Sequence, residues 1–317
     1  MYLKFYGLSS QPFQLTLDRL CVYFGSQQKE VVAQLLYGLR EQKGLMVLEG
    51  EPGTGKTTLL DLVVALLPSH LNVYPCWIRN PLLREPIDLL EAVLRGFGQP
   101  CDRSARISEV TEQLLRFLTR CRLMETTPLL LIDEAQALGG DAMEQLRVVT
   151  NWEQDSRKLV QIILAGQPEL GRRYLDAPEQ EALRQRVALR CRLGMMAAQE
   201  TADYIRLRLK EAGCPRTDVF DAGALREIHR YSGGVPRKIN VLADHCLVAG
   251  FAAQAPVIPA ELVASVAEDL QLPALVAEVP EAQEGEALAE QYQLSDLFRA
   301  FLGEDEASLP AMTAQRN

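Results

Sequence analysis

Apolar runs and apolar stripes alternate along this chain, and the change of period marks its elements. Positions 31, 32, 35, 36 and 39 recur with helical spacing, predicting a helix over 29–43 that stops at Gly44. Leu45-Met46-Val47-Leu48 is a continuous apolar run and reads as a buried strand. Thr58 to Leu67 follows as a buried helix closed by Pro68. A second strand fits Val73–Ile78, ended by Asn80-Pro81, and helices fit Ile87–Phe97 and Ile107–Leu123. Two more apolar runs, Leu129–Ile132 and Leu159–Ala165, complete the strand-like segments. Runs without polar alternation belong to strands covered on both faces, hence to a parallel sheet between helical layers. From 196 onward the period is helical only, with helices near 198–212, 222–231, 236–249 and 258–270.

Three stretches do not fit that scheme. Residues 1–28 form a lead-in with Phe5, Tyr6, Phe13, Tyr23 and Phe24, whose rings either pack on the core or wall a ligand pocket. Arg184, Arg186, Arg190 and Arg192 crowd one segment, read either as a solvated basic helix face or as the source of an arginine finger. After 270 periodicity fades into a tail that is small, acidic and expected to be disordered. Within it, Leu294, Leu297, Phe298, Phe301 and Leu302 form one apolar stripe, enough for a short helix that must dock to be stable.

The chemistry is concentrated between the first strand and its helix. Gly50-Glu51-Pro52-Gly53-Thr54-Gly55-Lys56-Thr57 is a complete G-x-x-x-x-G-K-[ST] loop, followed by Thr58. Glycines at 50, 53 and 55 let backbone N–H groups curl around phosphate oxygens, and the helix N-terminus adds its positive dipole end. Lys56 would reach the β- and γ-phosphates and the Thr57 hydroxyl would ligate Mg²⁺. Asp133 and Glu134 emerge at the carboxyl end of a strand, where open α/β sheets bind ligands. Asp133 suits a Mg²⁺ contact, and Glu134 suits polarising the water that attacks the γ-phosphate. Gln167 follows the last strand, available either to the γ-phosphate and water or as a turn-capping amide.

Composition narrows the setting. The net charge of −9 sits in the tail: residues 261–317 hold 12 acidic and 2 basic side chains, which leaves the body near neutrality. An acidic total argues against a broad nucleic-acid surface, while a neutral body leaves room for a local basic patch. No apolar run reaches the ~18–20 residues of a membrane span. Seven scattered cysteines without a C-x-x-C pair point to a reducing, cytoplasmic setting.

Taken in order, these motifs resemble AAA+ ATPases, and more narrowly the ExeA/GspA group, which is related to the transposition ATPases TnsC and TniB. The resemblance runs from about residue 1 to 270. It is carried by Phe5-Tyr6-Gly7-Leu8, the phosphate loop, Ile132-Asp133-Glu134-Ala135-Gln136, Gly166-Gln167-Pro168-Glu169-Leu170, Gln185-Arg186 and Gly233-Gly234-Val235-Pro236-Arg237-Lys238-Ile239-Asn240. It implies an α/β fold: a P-loop NTPase αβα sandwich on a five-stranded parallel sheet, with a small C-terminal helical lid. The expected divisions are a lead-in over 1–28, a nucleotide-binding core over 29–195, a lid over 196–270 and a tail over 271–317. The resemblance gives Gln167 the sensor 1 position, Arg186 the arginine-finger box and Arg237 the sensor 2 position. Sensor 1 is more often Asn, Ser or Thr, a departure at Gln167. Secretion members carry a membrane helix and a peptidoglycan-binding domain after the lid, where this chain has its acidic tail. The expected function is Mg²⁺-dependent ATP hydrolysis in a homo-oligomer, ring or filament. It would act from the cytoplasm on a membrane-associated partner of a secretion or polysaccharide machinery. The alternative is a transposition regulator that assembles on DNA.

Overall fold

The computed structural model describes residues 2–14, 23–67, 71–79, 81–102, 105–177, 180–216 and 218–275. The tail stripe at 294–302 lies outside the described residues. A short turn of helix α1 (Tyr2–Phe5) is followed by α2 (Ser26–Arg40), β1 (Leu45–Gly50) and α3 (Lys56–Ala65). Next come β2 (Val73–Ile78), α4 (Pro86–Gly96), α5 (Ile107–Leu123) and β3 (Thr127–Ile132). Helix α6 (Gly140–Thr150) leads into a small antiparallel hairpin, β4 (Glu153–Gln154) and β5 (Arg157–Lys158). Strand β6 (Gln161–Gly166), α7 (Pro168–Tyr174), α8 (Glu181–Arg184) and β7 (Val187–Leu193) close the sheet region. Helices α9 (Ala198–Glu211), α10 (Ala222–Ser232), α11 (Pro236–Ala252) and α12 (Ala260–Asp269) follow.

The main sheet is parallel, in the order β2-β3-β6-β1-β7. Its strands alternate with helices, as crossover connections require. Alternate side chains serve opposite faces. Leu45, Val47, Leu130, Ile132, Ile162 and Leu164 enter one cluster with α4, α5 and α6. Met46 faces the other way, so close to α2 that a Cβ at Gly38 would collide with its sulfur. Every residue of β1 and β6 is buried, which is why Leu45–Leu48 and Ile162–Ala165 carry no polar alternation.

One expectation fails here. The arginine-rich segment is not a helix face: from Val187 to Leu193 it is the edge strand β7, paired in parallel with β1. Its period is two, with Cys191 and Leu193 buried and Arg192 exposed. Within that segment Arg190 turns inward. Its guanidinium bonds both oxygens of the buried Glu49 (2.9 and 3.0 Å) and both oxygens of Asp176 (2.6 and 3.0 Å).

The lead-in belongs to the second apolar cluster, not to the sheet. Tyr6, Leu8 and Phe13 pack among residues of α9 to α12, such as Ile205, Ile228 and Leu247. Arg208 on α9 fixes the strap by donating to the carbonyls of Pro12 (2.6 Å) and Gln14 (3.2 Å).

Candidate nucleotide site

Gly50 ends β1 where the chain must pass under β7: a Cβ there would lie 2.6 Å from the Leu193 carbonyl oxygen. The loop then turns through Gly53 and Gly55, both left-handed, at φ +82° and +98°. A side chain is strained in that region. Gly55 is the N-cap of α3, and a Cβ on it would meet nothing within 4 Å. The loop thus leaves an open cradle at a helix N-terminus, the arrangement that suits phosphate oxygens. Lys56 is 5% exposed and folds back to donate to the carbonyls of Gly50 (2.8 Å) and Glu51 (3.0 Å). Burial lowers its pKa, and the charges of Glu134, Asp133 and Glu51 oppose that shift. Thr54 closes the loop by bonding the Glu51 carbonyl through its hydroxyl (2.9 Å).

Opposite the loop stands the end of β3. Asp133 is buried and accepts the Thr57 hydroxyl at 2.5 Å and the Glu134 N–H at 3.0 Å. Glu134 itself is left-handed, at φ +54°, as the chain turns out of the sheet. Two carboxamides hold it: Gln167 donates to its Oε2 at 3.1 Å, and Gln136 donates to the same oxygen. Gln136 also accepts the Gln167 N–H at 3.1 Å. The side chain of Gln167 makes no capping bond to α7 and is bonded to the Glu134 carboxylate instead. Gln136 is a site residue that the sequence reasoning quoted only as part of a motif. Its signal was its place two residues after Glu134.

The cavity between loop and helices has a volume of about 440 Å³. Thr54 to Leu59 and Glu134 line it from the loop, α3 and the end of β3, and Gln14, Tyr23, Phe24 and Gln28 line it from the lead-in and α2. Thus two rings of the lead-in reach the cavity, while Tyr6 and Phe13 are core. Tyr204, Arg208, Arg237 and Asn240 contribute from the helical side. Arg237 stands at the start of α11, where Pro236 occupies the first turn and Gly233 and Gly234 supply positive φ. Its backbone N–H donates to the Gly53 carbonyl at 3.3 Å, and a Cβ at Gly53 would lie 2.9 Å from its own Cβ. Loop and α11 are therefore in direct contact. Arg186, by contrast, is exposed, does not line the cavity and makes no side-chain hydrogen bond or ion pair among the described residues. Arg184 is paired with Glu181 at 3.8 Å.

The donor set suits Mg²⁺. A hydroxyl and a carboxylate on one edge of a phosphate cradle supply hard oxygens, and Mg²⁺ completes its shell with phosphates and water. Among the described residues no group of three or more His, Cys, Asp or Glu side chains could hold a metal by itself.

Residues 39–174 match the AAA domain family. With the parallel five-stranded sheet and the phosphate loop at the end of β1, the chain has the P-loop αβα fold of AAA domains. Within that class it is similar to General secretion pathway protein A of Aeromonas hydrophila, at 38% identity over 252 residues. The match covers 80% of this chain and 45% of that relative, so the chain spans about half the relative's length. The ExeA/GspA resemblance of the motifs thus extends to an alignment over 80% of the chain. Among solved structures, Cdc6p from Pyrobaculum aerophilum superposes with a TM-score of 0.63 at 16% identity, covering 81% of this chain and 70% of that one. Aeropyrum pernix ORC2, solved as ADPNP-ADP complexes, gives 0.60 at 16% identity, covering 82% and 72%. At such identities the likeness is one of fold alone.

Proposed function

We propose that the chain binds ATP in this cavity and hydrolyses it as part of a homo-oligomer, driving the assembly of a secretion or other cell-surface complex. The observation that carries the reading is that Lys56, Thr57 and Glu134 share one cavity while Asp133 is bonded to Thr57. Backbone N–H groups of residues 53–57 take the phosphates. Lys56 exchanges two carbonyl partners for phosphate oxygens, which restores charge compensation to a buried ammonium. Mg²⁺, held by Thr57 and Asp133, would neutralise charge on the phosphates. Both carboxamide bonds to Glu134 fall on Oε2, so Oε1 is available to align a water and draw off its proton as it attacks the γ-phosphorus. Gln136 and Gln167 hold that carboxylate in place. Arg237, on the wall of its own cavity, links α11 to the nucleotide. Arg186, exposed and away from its own cavity, is suited to complete the site of a neighbouring copy.

The link to a secretion system is supported by the similarity to General secretion pathway protein A. Among the described residues no helix is long and apolar enough to cross a membrane, and the chain is proposed to work at the cytoplasmic side. The test of the chemistry is Mg²⁺-dependent ATPase activity. Lys56→Ala loses nucleotide binding. Glu134→Gln keeps binding and loses turnover by roughly 10²–10⁴, the range of a positioned general base. Undiminished hydrolysis by Glu134→Gln refutes the role of Glu134. The test of the pathway is duplex binding at several salt concentrations: tight binding that falls steeply with salt overturns the secretion reading in favour of DNA.

A further inference from the structure

The cavity contains one polar side chain that its surroundings leave unsatisfied. Gln28, in the first turn of α2, is 9% exposed and lines the cavity beside Tyr23 and Phe24. Its carboxamide oxygen is buried and has no hydrogen-bond partner among the described residues. A buried acceptor without a donor costs roughly 1–3 kcal/mol, so native chains keep few of them without a reason. The corner around it is shaped for that carboxamide. Gly25, the N-cap of α2, leaves room for it: a Cβ there would lie 2.7 Å from Gln28 Oε1 and would collide with Glu200 Oε1.

Two acceptor oxygens, one amide and one carboxylate, therefore converge on Gly25. Glu200 is fixed in place, since its other oxygen accepts the Ala197 N–H at 2.9 Å in the capping box of α9. Its charge is felt in the same corner: burial first, then Glu200, pushes the Tyr23 phenol above its usual range. The last torsion of a glutamine is broad and two-fold. Half a turn of the Gln28 carboxamide would exchange its oxygen and its N–H, turning the N–H to the side on which the Glu200 oxygen lies and the oxygen away from it. In that state Gln28 offers the cavity an acceptor only.

We infer that Gln28 is the residue that reads the base of the bound nucleotide, accepting the exocyclic amino group of adenine. This rests on the nucleotide reading above and adds its specificity. The phosphate loop fastens the phosphates and is blind to the base. Tyr23 and Phe24 offer apolar surface to any purine, so they favour no particular one. An acceptor held by Glu200 separates a 6-amino purine, which donates, from a 6-oxo purine, which presents a second acceptor. Glu200 is a positioning residue, since it acts through the carboxamide.

The test is competition of ATP and ITP against a ribose-labelled fluorescent ATP, with the whole chain. The two triphosphates differ at position 6, where the amino group of one is an oxo group in the other. Wild type is expected to prefer ATP. In Gln28→Leu the ATP affinity falls roughly five- to tenfold, about the net worth of one buried neutral hydrogen bond, and the ATP-to-ITP ratio approaches one. Glu200→Gln keeps the capping box and lowers the ratio as well, because the carboxamide is released. If leucine disturbs the corner, Gln28→Met gives the same readout with a linear side chain. A variant that keeps the wild-type ratio, or a wild type with no preference, overturns the inference and leaves the nucleotide site standing. A wild type that binds neither triphosphate overturns both.

Discussion

Replacing Arg190 by methionine isolates the largest charge compensation in the sheet. Methionine keeps much of the apolar stem, so the change removes charge more than packing. The Glu49 side chain is 5% exposed, directly before the phosphate loop, and Arg190 donates to both of its oxygens. Removing one partner of such a buried pair costs about 3–5 kcal/mol, because the remaining charge is left without compensation. The Asp176 arm adds little, since that carboxylate is about half exposed and solvent screens it. Arg192 stands 3.5 Å from Glu49, but its side chain is 74% exposed, so it offsets only part of the loss. Urea denaturation at neutral pH should therefore show Arg190→Met less stable by about 3–5 kcal/mol and Arg192→Met by less than about 1 kcal/mol. Glu49→Gln combined with Arg190→Met should recover a large part, and the cycle gives the coupling directly. Acid adds a signature. Hydrogen bonds from Arg190 hold Asp176 below its ordinary 3.8. A carboxylate depressed on folding contributes stability above its unfolded pKa and loses it as pH falls through the folded one. Because that carboxylate is about half exposed, wild type should lose stability below about pH 4 only slightly more steeply than Arg190→Met. A loss under about 1 kcal/mol at neutral pH would refute the reasoning, because the Glu49 charge would then be held by something other than Arg190.

Two further outcomes are expected. Arg186→Ala subunits mixed with Glu134→Gln subunits should regain part of the ATPase activity each lacks, because complete sites re-form at some interfaces; no recovery in verified mixed assemblies counts against a role in trans. His229, buried against the Thr201 hydroxyl at 2.9 Å, is held below its usual 6.5 by burial. Its contribution is present above pH 6.5 and lost as pH falls toward the folded value. The stability of wild type should therefore drop on acidification from pH 7 to 5, and His229→Gln should flatten that limb in a pH series of denaturation curves.

The phosphate loop and the Asp133-Glu134 pair were legible because local pattern fixes them: strand, loop and helix are contiguous, and their apolar runs are unbroken. Helices α4, α5 and α9 to α12 were legible for the same reason, each within a few residues. Strand β7 was not. Its arginines at 190 and 192 mask the period of two in Leu189, Cys191 and Leu193. That Arg190 turns inward depends on Glu49, which is 141 residues away. The strap was half legible, since aromatic content shows that rings are buried but not against which layer. Gln28 was invisible for a simpler reason. A glutamine in a first helical turn reads as solvated, and only the tertiary arrangement of Tyr23, Gly25 and Glu200 encloses it.

Strand order carries a consequence for where this chain can be cut. The segment that matches the AAA domain, 39–174, ends before β7 begins. In the intact chain β1 lies between β6 and β7, with both rows of backbone groups engaged. A fragment stopping at 174 would turn that inner strand into an open, largely apolar margin, with the phosphate loop at its tip. Such margins recruit other chains. Family boundary and cooperative boundary therefore differ, and a shortened protein made to the former should precipitate or pair edge to edge, whereas one reaching past Leu193 keeps its loop on an interior strand.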